Sequence, residues 1–406
     1  MHTIKKLHWS VLLLTLCAAN AQADQVRSVI DRPRPDYDAV GERFSTLIVK
    51  PTLSADVSYN DNIYASYADT VGDTIFIASP GVKIDTDWNR HALGLVAGVT
   101  SATYSSHSDE DYLEGKLLFN GRLDVQRESF LTVNAGIQQL HEDRTSPDSS
   151  NSWKDPAEYT NSNLDMVYKH GLNRVSLTGG TGITKIDYSS VDLIGGGTQD
   201  LSNRDRTMYK FNGRIAYELR PSVQPFVTGT VDRRIYDQSD AERDSTGYRL
   251  GVGTGIYMGE VTSGEVFAGY MQQEYDNWDS TSGMWFGAKL LWNATQLTSV
   301  QLNAQSSIEE STLADSSGIN RYTGGIRVDH ELMRDVLLGV FYDYTHDKYQ
   351  SIETADDLSS VGIRAKYMYN RFFDAEISYK FQDKSSDDPT REYTANVFMI
   401  SLTAKY

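Results

Sequence analysis

Cysteine is nearly absent: of 406 residues only Cys17 carries a thiol, and it lies in the N-terminal leader. A disulfide scaffold is therefore excluded, and a chain this large must be held by other means. Proline is scarce, at 9 residues, so little in the body of the chain interrupts backbone pairing. No run of about 18 apolar residues occurs, which excludes a transmembrane helix. Positive charge is in deficit, with 38 Lys and Arg against 55 Asp and Glu for a formal charge of -17. That balance argues against a nucleic-acid partner, whose phosphates demand the opposite sign. The mean hydropathy of -0.45 is that of a water-soluble protein.

The leader itself is a targeting segment. Lys5 and Lys6 precede the short apolar stretch Trp9 to Ala19, and Ala21-Gln22-Ala23 is a small-x-small cleavage site. Cleavage near Ala23 is expected, giving a signal peptide over 1–23 and a mature chain without cysteine.

What the body contains is alternation. In "RDVLLGVFYDYTHDK", Val336, Leu338, Val340, Tyr342 and Tyr344 share one face, opposite Asp335, Asp343 and Thr345 with Leu337 and Phe341. In "MYKFNGRIAYEL", Tyr209, Phe211, Ile215 and Tyr217 oppose Lys210, Asn212, Arg214 and Glu218. A period of two with one apolar side marks a half-buried strand, and almost no segment shows an apolar stripe at helical spacing. The breaks between strands alternate short and long. Eight tight turns and nine long polar loops predict about eighteen strands. An even strand number with alternating turn lengths predicts a closed antiparallel transmembrane β-barrel of the bacterial outer membrane, an all-β fold. Closure follows because lipid offers no partner for an open sheet edge. The barrel is expected over 47–406, preceded by a periplasmic N-terminal extension over 24–46. The partners expected from this reading are outer-membrane lipids.

A resemblance adds to this. Arg34-Pro35-Asp36-Tyr37-Asp38 with Gly41, Tyr59-Asn60-Asp61-Asn62-Ile63-Tyr64, and Trp88-Asn89-Arg90-His91 resemble motifs of the outer-membrane beta-barrel porin 2 family. The resemblance implies export of an exopolysaccharide or capsular polysaccharide through the barrel, together with a periplasmic polysaccharide export protein. The chain's end, with Phe398, Ile400, Leu402 and the terminal Tyr406, resembles the signal read by the barrel-assembly machinery. This last strand is expected to close the sheet against the first one near Leu47.

Strand parity assigns a lumen of mixed charge. Its basic candidates are Lys116, Arg122, Lys210, Arg214, Arg249, Lys289, Arg321, Arg327 and Arg364, and its acidic ones include Glu218, Glu265 and Asp329. Bases are slightly in excess there, so the acid surplus is expected in the external loops. Such a lumen favours an anionic or neutral sugar polymer, with Phe226, Trp285 and Phe341 as candidate stacking surfaces for sugar rings. The alternative is a substrate-uptake or general diffusion porin for small solutes. That reading asks for a long inward-folding loop, and no loop announces itself as one. The polar segment Asp24 to Ser45 is a tether, a lumen insert or a docking segment; Pro33 and Pro35 exclude a regular helix through it.

Enzyme readings find little support. His141 beside Glu142 and Asp143, and His346 beside Asp347, point to opposite faces of a strand. No Gly-x-Ser-x-Gly, His-Glu-x-x-His or phosphate loop is present. The glycine-rich stretches Gly179 to Lys185 and Gly251 to Ile256 fall within strands. No catalysis, cofactor or metal is expected.

Overall fold

The computed structural model describes residues 26–238, 243–311, 313 and 316–406. The leader and the cleavage expected near Ala23 lie outside the described residues. Eighteen long strands follow one another around a closed sheet. They are β1 (Leu47–Asn60), β2 (Asp73–Thr86), β3 (Ala92–Tyr104), β4 (Tyr112–Gln126), β5 (Ser129–His141) and β6 (Glu158–Leu172). Next come β7 (Val175–Tyr188), β8 (Arg206–Tyr217), β9 (Val223–Tyr236), β10 (Ser245–Met258), β11 (Thr262–Tyr275) and β12 (Thr281–Thr295). The last six are β13 (Thr298–Glu309), β14 (Ile319–Met333), β15 (Val336–Tyr349), β16 (Ala355–Met368), β17 (Phe373–Ser386) and β18 (Tyr393–Lys405). Every neighbouring pair is antiparallel, and β18 returns to β1 from Thr52↔Lys405 to Asn60↔Val397.

The seam differs from the expected closure near Leu47. Pairing of β18 with β1 begins only at Thr52, because Leu47–Val49 already pair with a three-residue strand, Glu42–Phe44. That short strand continues the line of β18 beyond the chain's end. The Tyr406 N–H donates to the Pro51 carbonyl at 3.1 Å, and its hydroxyl donates to Glu42 at 3.2 Å.

Short turns gather at one end. The hairpins β4–β5, β12–β13 and β14–β15 close through two-residue turns, each with an irregularity in the last rung. Asn173 holds a φ of 55° in the β6–β7 turn, where a side chain that tolerates the left-handed region is required. Long loops, including 142–157 and 189–205, gather at the other end.

Alternation decides what each face meets. On β1, β8, β10 and β18 the residues Leu53, Val57, Phe211, Ile215, Leu250, Val252, Phe398, Ile400 and Leu402 stand exposed on the outer wall. Water would penalise such a belt by about 25 cal/mol for each Å² left uncovered, whereas acyl chains cover it without loss. The residues of the other parity, such as Lys210, Arg214 and Arg249, face inward.

The N-terminal segment is seated inside the mouth that carries the short turns. A 3-10 turn at Val29–Asp31 puts the fully buried Val29 against Leu337 of β15 and Met368 of β16. The Val29 N–H donates to Ser299 Oγ at 2.6 Å, and Asn293 donates to the Arg27 carbonyl at 3.2 Å. Arg34 completes the anchor, reaching Glu331 at 2.7 Å and the Val29 carbonyl at 2.8 Å. The stretch from Arg27 to Arg34 is thus inserted into the lumen mouth.

Candidate functional site

The lumen is the candidate site, and three layers of the chain shape it. The outermost layer is loop 142–157, between β5 and β6. Arg144 at its start is buried and donates to both Glu110 oxygens, at 2.6 and 3.0 Å, from the β3–β4 loop. From the other side Arg204 of the β7–β8 loop donates to Glu142 at 2.9 and 3.1 Å. The Lys154 N–H donates to the Asp192 carbonyl at 2.7 Å, and Trp153, Ala157, Val191 and Leu201 form a small apolar core between the two loops.

Braced in this way, the loop turns inward. Asp143 lies within electrostatic reach of Lys380 on β17, and Thr145 comes up to Tyr393 on β18. The Asp143 side chain still meets the water of the lumen. The protein crowded around it opposes ionisation, but the N–H and hydroxyl of Thr145, with Lys380 and His141, hold its carboxyl below the ordinary range. An inward-folding loop is therefore present, contrary to the expectation that none exists. Its inward path is not legible in the sequence because long-range ion pairs set it, not its own composition.

The middle layer is the waist. A cavity of about 590 Å³ is lined from β3 round to β13. Its walls carry seven bases (Lys116, Arg206, Lys210, Arg214, Arg234, Arg249, Lys289) against four acids (Glu114, Glu265, Glu309, Glu310). Some of these charges are paired. Arg214 meets Glu265 at 2.9 Å, Arg249 lies 3.2 Å from Asp232, and Arg234 is held by Asp232 and Glu310. Lys116, Lys210 and Lys289 have no ion-pair partner among the described residues. Unpaired cations on a water-filled wall are the device by which pores select anions.

Most residues expected in the lumen lie on its wall. Lys116, Arg122, Lys210, Arg214, Arg249, Lys289, Arg321, Arg327, Arg364, Glu265 and Asp329 all occupy inward parity on their strands. Glu218 stands one residue past the end of β8 at Tyr217, where its N–H still donates to the Arg174 carbonyl at 2.7 Å. Arg122 pairs with Asp124 at 2.8 Å, Arg321 with Asp347 at 2.5 Å and Arg364 with Asp329 at 2.6 Å. Of the three aromatic candidates, Trp285 lines the cavity beside Phe267, with ring centroids 4.8 Å apart. Phe226 is buried beneath Arg214, whose guanidinium carbon stands 3.5 Å from the ring centroid. Arg327 stands 5.7 Å over Phe341. The histidines pair across strands and not along them. His141 contacts Glu114 at 3.0 Å, and His346 contacts Asp357 at 2.7 Å. The innermost layer is the N-terminal insert, which covers the β13–β16 side of the mouth.

The sequence matches the family described as "Putative beta-barrel porin 2" over residues 34–406. No curated protein matches it. Among solved structures it is similar to Acinetobacter baumannii OccAB3, with 12% identity, a TM-score of 0.48, and coverage of 89% of this chain and 100% of that one. It is also similar to the Pseudomonas aeruginosa outer membrane protein OpdK, at 12% identity and a TM-score of 0.47 over 88% of this chain and 99% of that one. For Pseudomonas aeruginosa OpdL the identity is 11% and the TM-score 0.45, over 89% and 99% of the two chains.

Proposed function

The chain belongs to the beta-barrel porin 2 family, and from that premise we propose that this outer-membrane barrel is a diffusion channel for small solutes that passes anions in preference to cations. The observation that carries the reading is loop 142–157, braced by Arg144–Glu110 and Arg204–Glu142 and turned in above a waist of seven bases and four acids. An unobstructed barrel of eighteen strands would be wide enough for an aqueous channel of little discrimination. The loop narrows it, and the unpaired lysines then act at short range on whatever passes. Long-range attraction adds little, because salt screens beyond about 8 Å at physiological ionic strength.

A second reading is export of an exopolysaccharide or capsular polysaccharide, with a periplasmic export protein docking at the short-turn mouth. The Trp285–Phe267 pair on the lumen wall favours it, since sugar rings stack on such surfaces. It requires both the loop and the N-terminal insert to move aside for a polymer. Proteoliposome swelling separates the two. A diffusion channel admits a small carboxylate faster than an amine of equal size and excludes a dextran. Free entry of dextran, or faster entry of the amine, overturns it.

A further inference from the structure

The short-turn end of the barrel carries a charge pattern that the lumen does not explain. Six of its eight turns hold an arginine: Arg90, Arg127, Arg174, Arg220, Arg334 and Arg371. All six are exposed, and none has an ion-pair partner among the described residues. On the long loops the arginines are tied instead, Arg144 to Glu110, Arg204 to Glu142 and Arg391 to Asp356. The two short turns without an arginine, 259–261 and 296–297, are those that the N-terminal insert reaches. Asn293 donates to the Glu260 and Arg27 carbonyls at 2.8 and 3.2 Å, and Arg32 donates to the Gln296 carbonyl. The insert thus adds arginines where the turns lack them, and cations surround the whole mouth. The acids of the turns do not cancel this ring. Asp87 is held by Arg43, and Glu128 lies within electrostatic reach of Lys169, which leaves Glu218, Glu260 and Asp335.

The outer wall fixes the depth of these turns. A strand of 14 residues such as β1 is about 46 Å long, and about 35 Å tall at the usual tilt near 40°. The apolar band of an outer-membrane barrel is only about 25 Å, so about 10 Å of strand projects beyond it. The projection is at the long-loop end. There Lys185, Arg233, Glu274, Asp357 and Asp383 take outward positions, in step with exposed apolar residues of the same strands. At the other end the apolar rows run into the turns themselves. Trp88, Val125, Leu172, Leu219, Met333 and Phe372 are exposed, each within two residues of a turn arginine. An exposed apolar side chain beside a free guanidinium fits one setting, an acyl boundary next to a phosphate.

We propose that the short-turn rim is a binding ring for anionic phospholipid headgroups of the periplasmic leaflet. Its arginines hold the phosphates, and the neighbouring apolar side chains enter the acyl boundary. Guanidinium suits this task because its planar fork donates two parallel N–H bonds to a phosphate. A headgroup without an ammonium of its own is preferred, since that ammonium competes with the arginine for the same phosphate. The occupant is a leaflet and not a protein because the arginines recur from hairpin to hairpin around the mouth, about 10 Å apart across the sheet. A protein partner would meet one side of such a ring.

The test takes protein purified from outer membranes, as Trp292→Phe, into vesicles of brominated phosphatidylglycerol or brominated phosphatidylcholine. Bromine quenches the tryptophan that it touches. Trp153 and Trp278 lie on the long loops and Trp285 lines the lumen, so Trp88 is the reporter at the rim. Phosphatidylglycerol is expected to occupy the site at Trp88 about fivefold more strongly at low salt. At about 1 M salt, where charges are screened beyond about 3 Å, the preference should vanish. The double variant Arg90→Gln, Arg127→Gln should remove it at low salt too, and Arg90→Lys should retain part of it. If the double variant fails to insert, the salt series on its parent decides alone. Equal quenching by the two lipids at low salt overturns the ring and leaves the rim to a protein partner. A preference that persists in the double variant or at about 1 M salt overturns it as well. The result is independent of which ions the lumen passes.

Discussion

Two walls of one lumen are built from the same residue types and do different things. On the β14–β18 wall most of the charges are spent on one another, with Arg327 and Lys380 the basic exceptions that have no ion-pair partner among the described residues. Arg321 pairs with Asp347 at 2.5 Å, Arg364 with Asp329 at 2.6 Å, Lys384 with Asp356 at 3.1 Å, and Lys366 and Lys405 share Asp374 at 3.0 and 2.6 Å. The N-terminal insert then docks on the β13–β16 side of this half. On the β8–β12 wall Lys210 and Lys289 have no ion-pair partner among the described residues, and glycines at 251, 253 and 287 leave room for Trp285, Phe226 and Phe267. Paired charge rigidifies a barrel and presents little field to a solute. Unpaired charge presents its whole field and contributes little to stability. A lumen can therefore be structural on one side and selective on the other.

The contrast between the walls can be broken in several places. Removing residues 145–152 takes away the inward turn that faces both walls. Single-channel conductance should rise several-fold and charge selectivity should fall, since solutes no longer pass close to the lysines. Asp329→Ala attacks the paired wall, leaving Arg364 without its partner. Breaking a buried pair from one side costs up to about 3–5 kcal/mol, so the heat-modifiable band should convert at a clearly lower temperature. Val29→Asp puts a charge into the apolar pocket of Leu337 and Met368 and forfeits about 1.5–3 kcal/mol of side-chain burial. The segment should then be cut by trypsin after Arg27, since Arg32 and Arg34 each precede a proline, while the barrel resists.

The smallest effect concerns pH. Asp143 has its carboxyl depressed in the folded state, so the contribution it makes is present above the unfolded value of about 3.9 and is lost as pH falls through the folded one. The part of the conductance that depends on Asp143 should therefore be flat from neutral pH down to about 4 and change only below it. Asp143→Asn should remove that acid limb.

Much of this architecture is legible in the chain alone. Strand parity puts Lys210, Arg249, Lys289 and Asp329 inside, because a period of two leaves only one answer once the apolar face is known. Turn lengths set the strand number in the same way. What stays hidden depends on partners far away in sequence. The inward path of loop 142–157 follows from Arg144 finding Glu110 and Arg204 finding Glu142, 34 and 62 residues apart. The seat of Val29 depends on Ser299, Leu337 and Met368, which no local pattern connects to it. The cover of Arg214 over Phe226, and the contact of His141 with Glu114, are cross-strand facts of the same kind.

On the proposed reading, unpaired lysines on the lumen wall set what the channel prefers. The most direct measurement is the zero-current potential across a bilayer separating two KCl concentrations, for the wild type and for the triple variant Lys116→Gln, Lys210→Gln, Lys289→Gln. The wild type should give a potential of the sign set by chloride, and the triple variant one close to zero or reversed. A potassium-selective wild type, or a triple variant that keeps the wild-type potential, would contradict it.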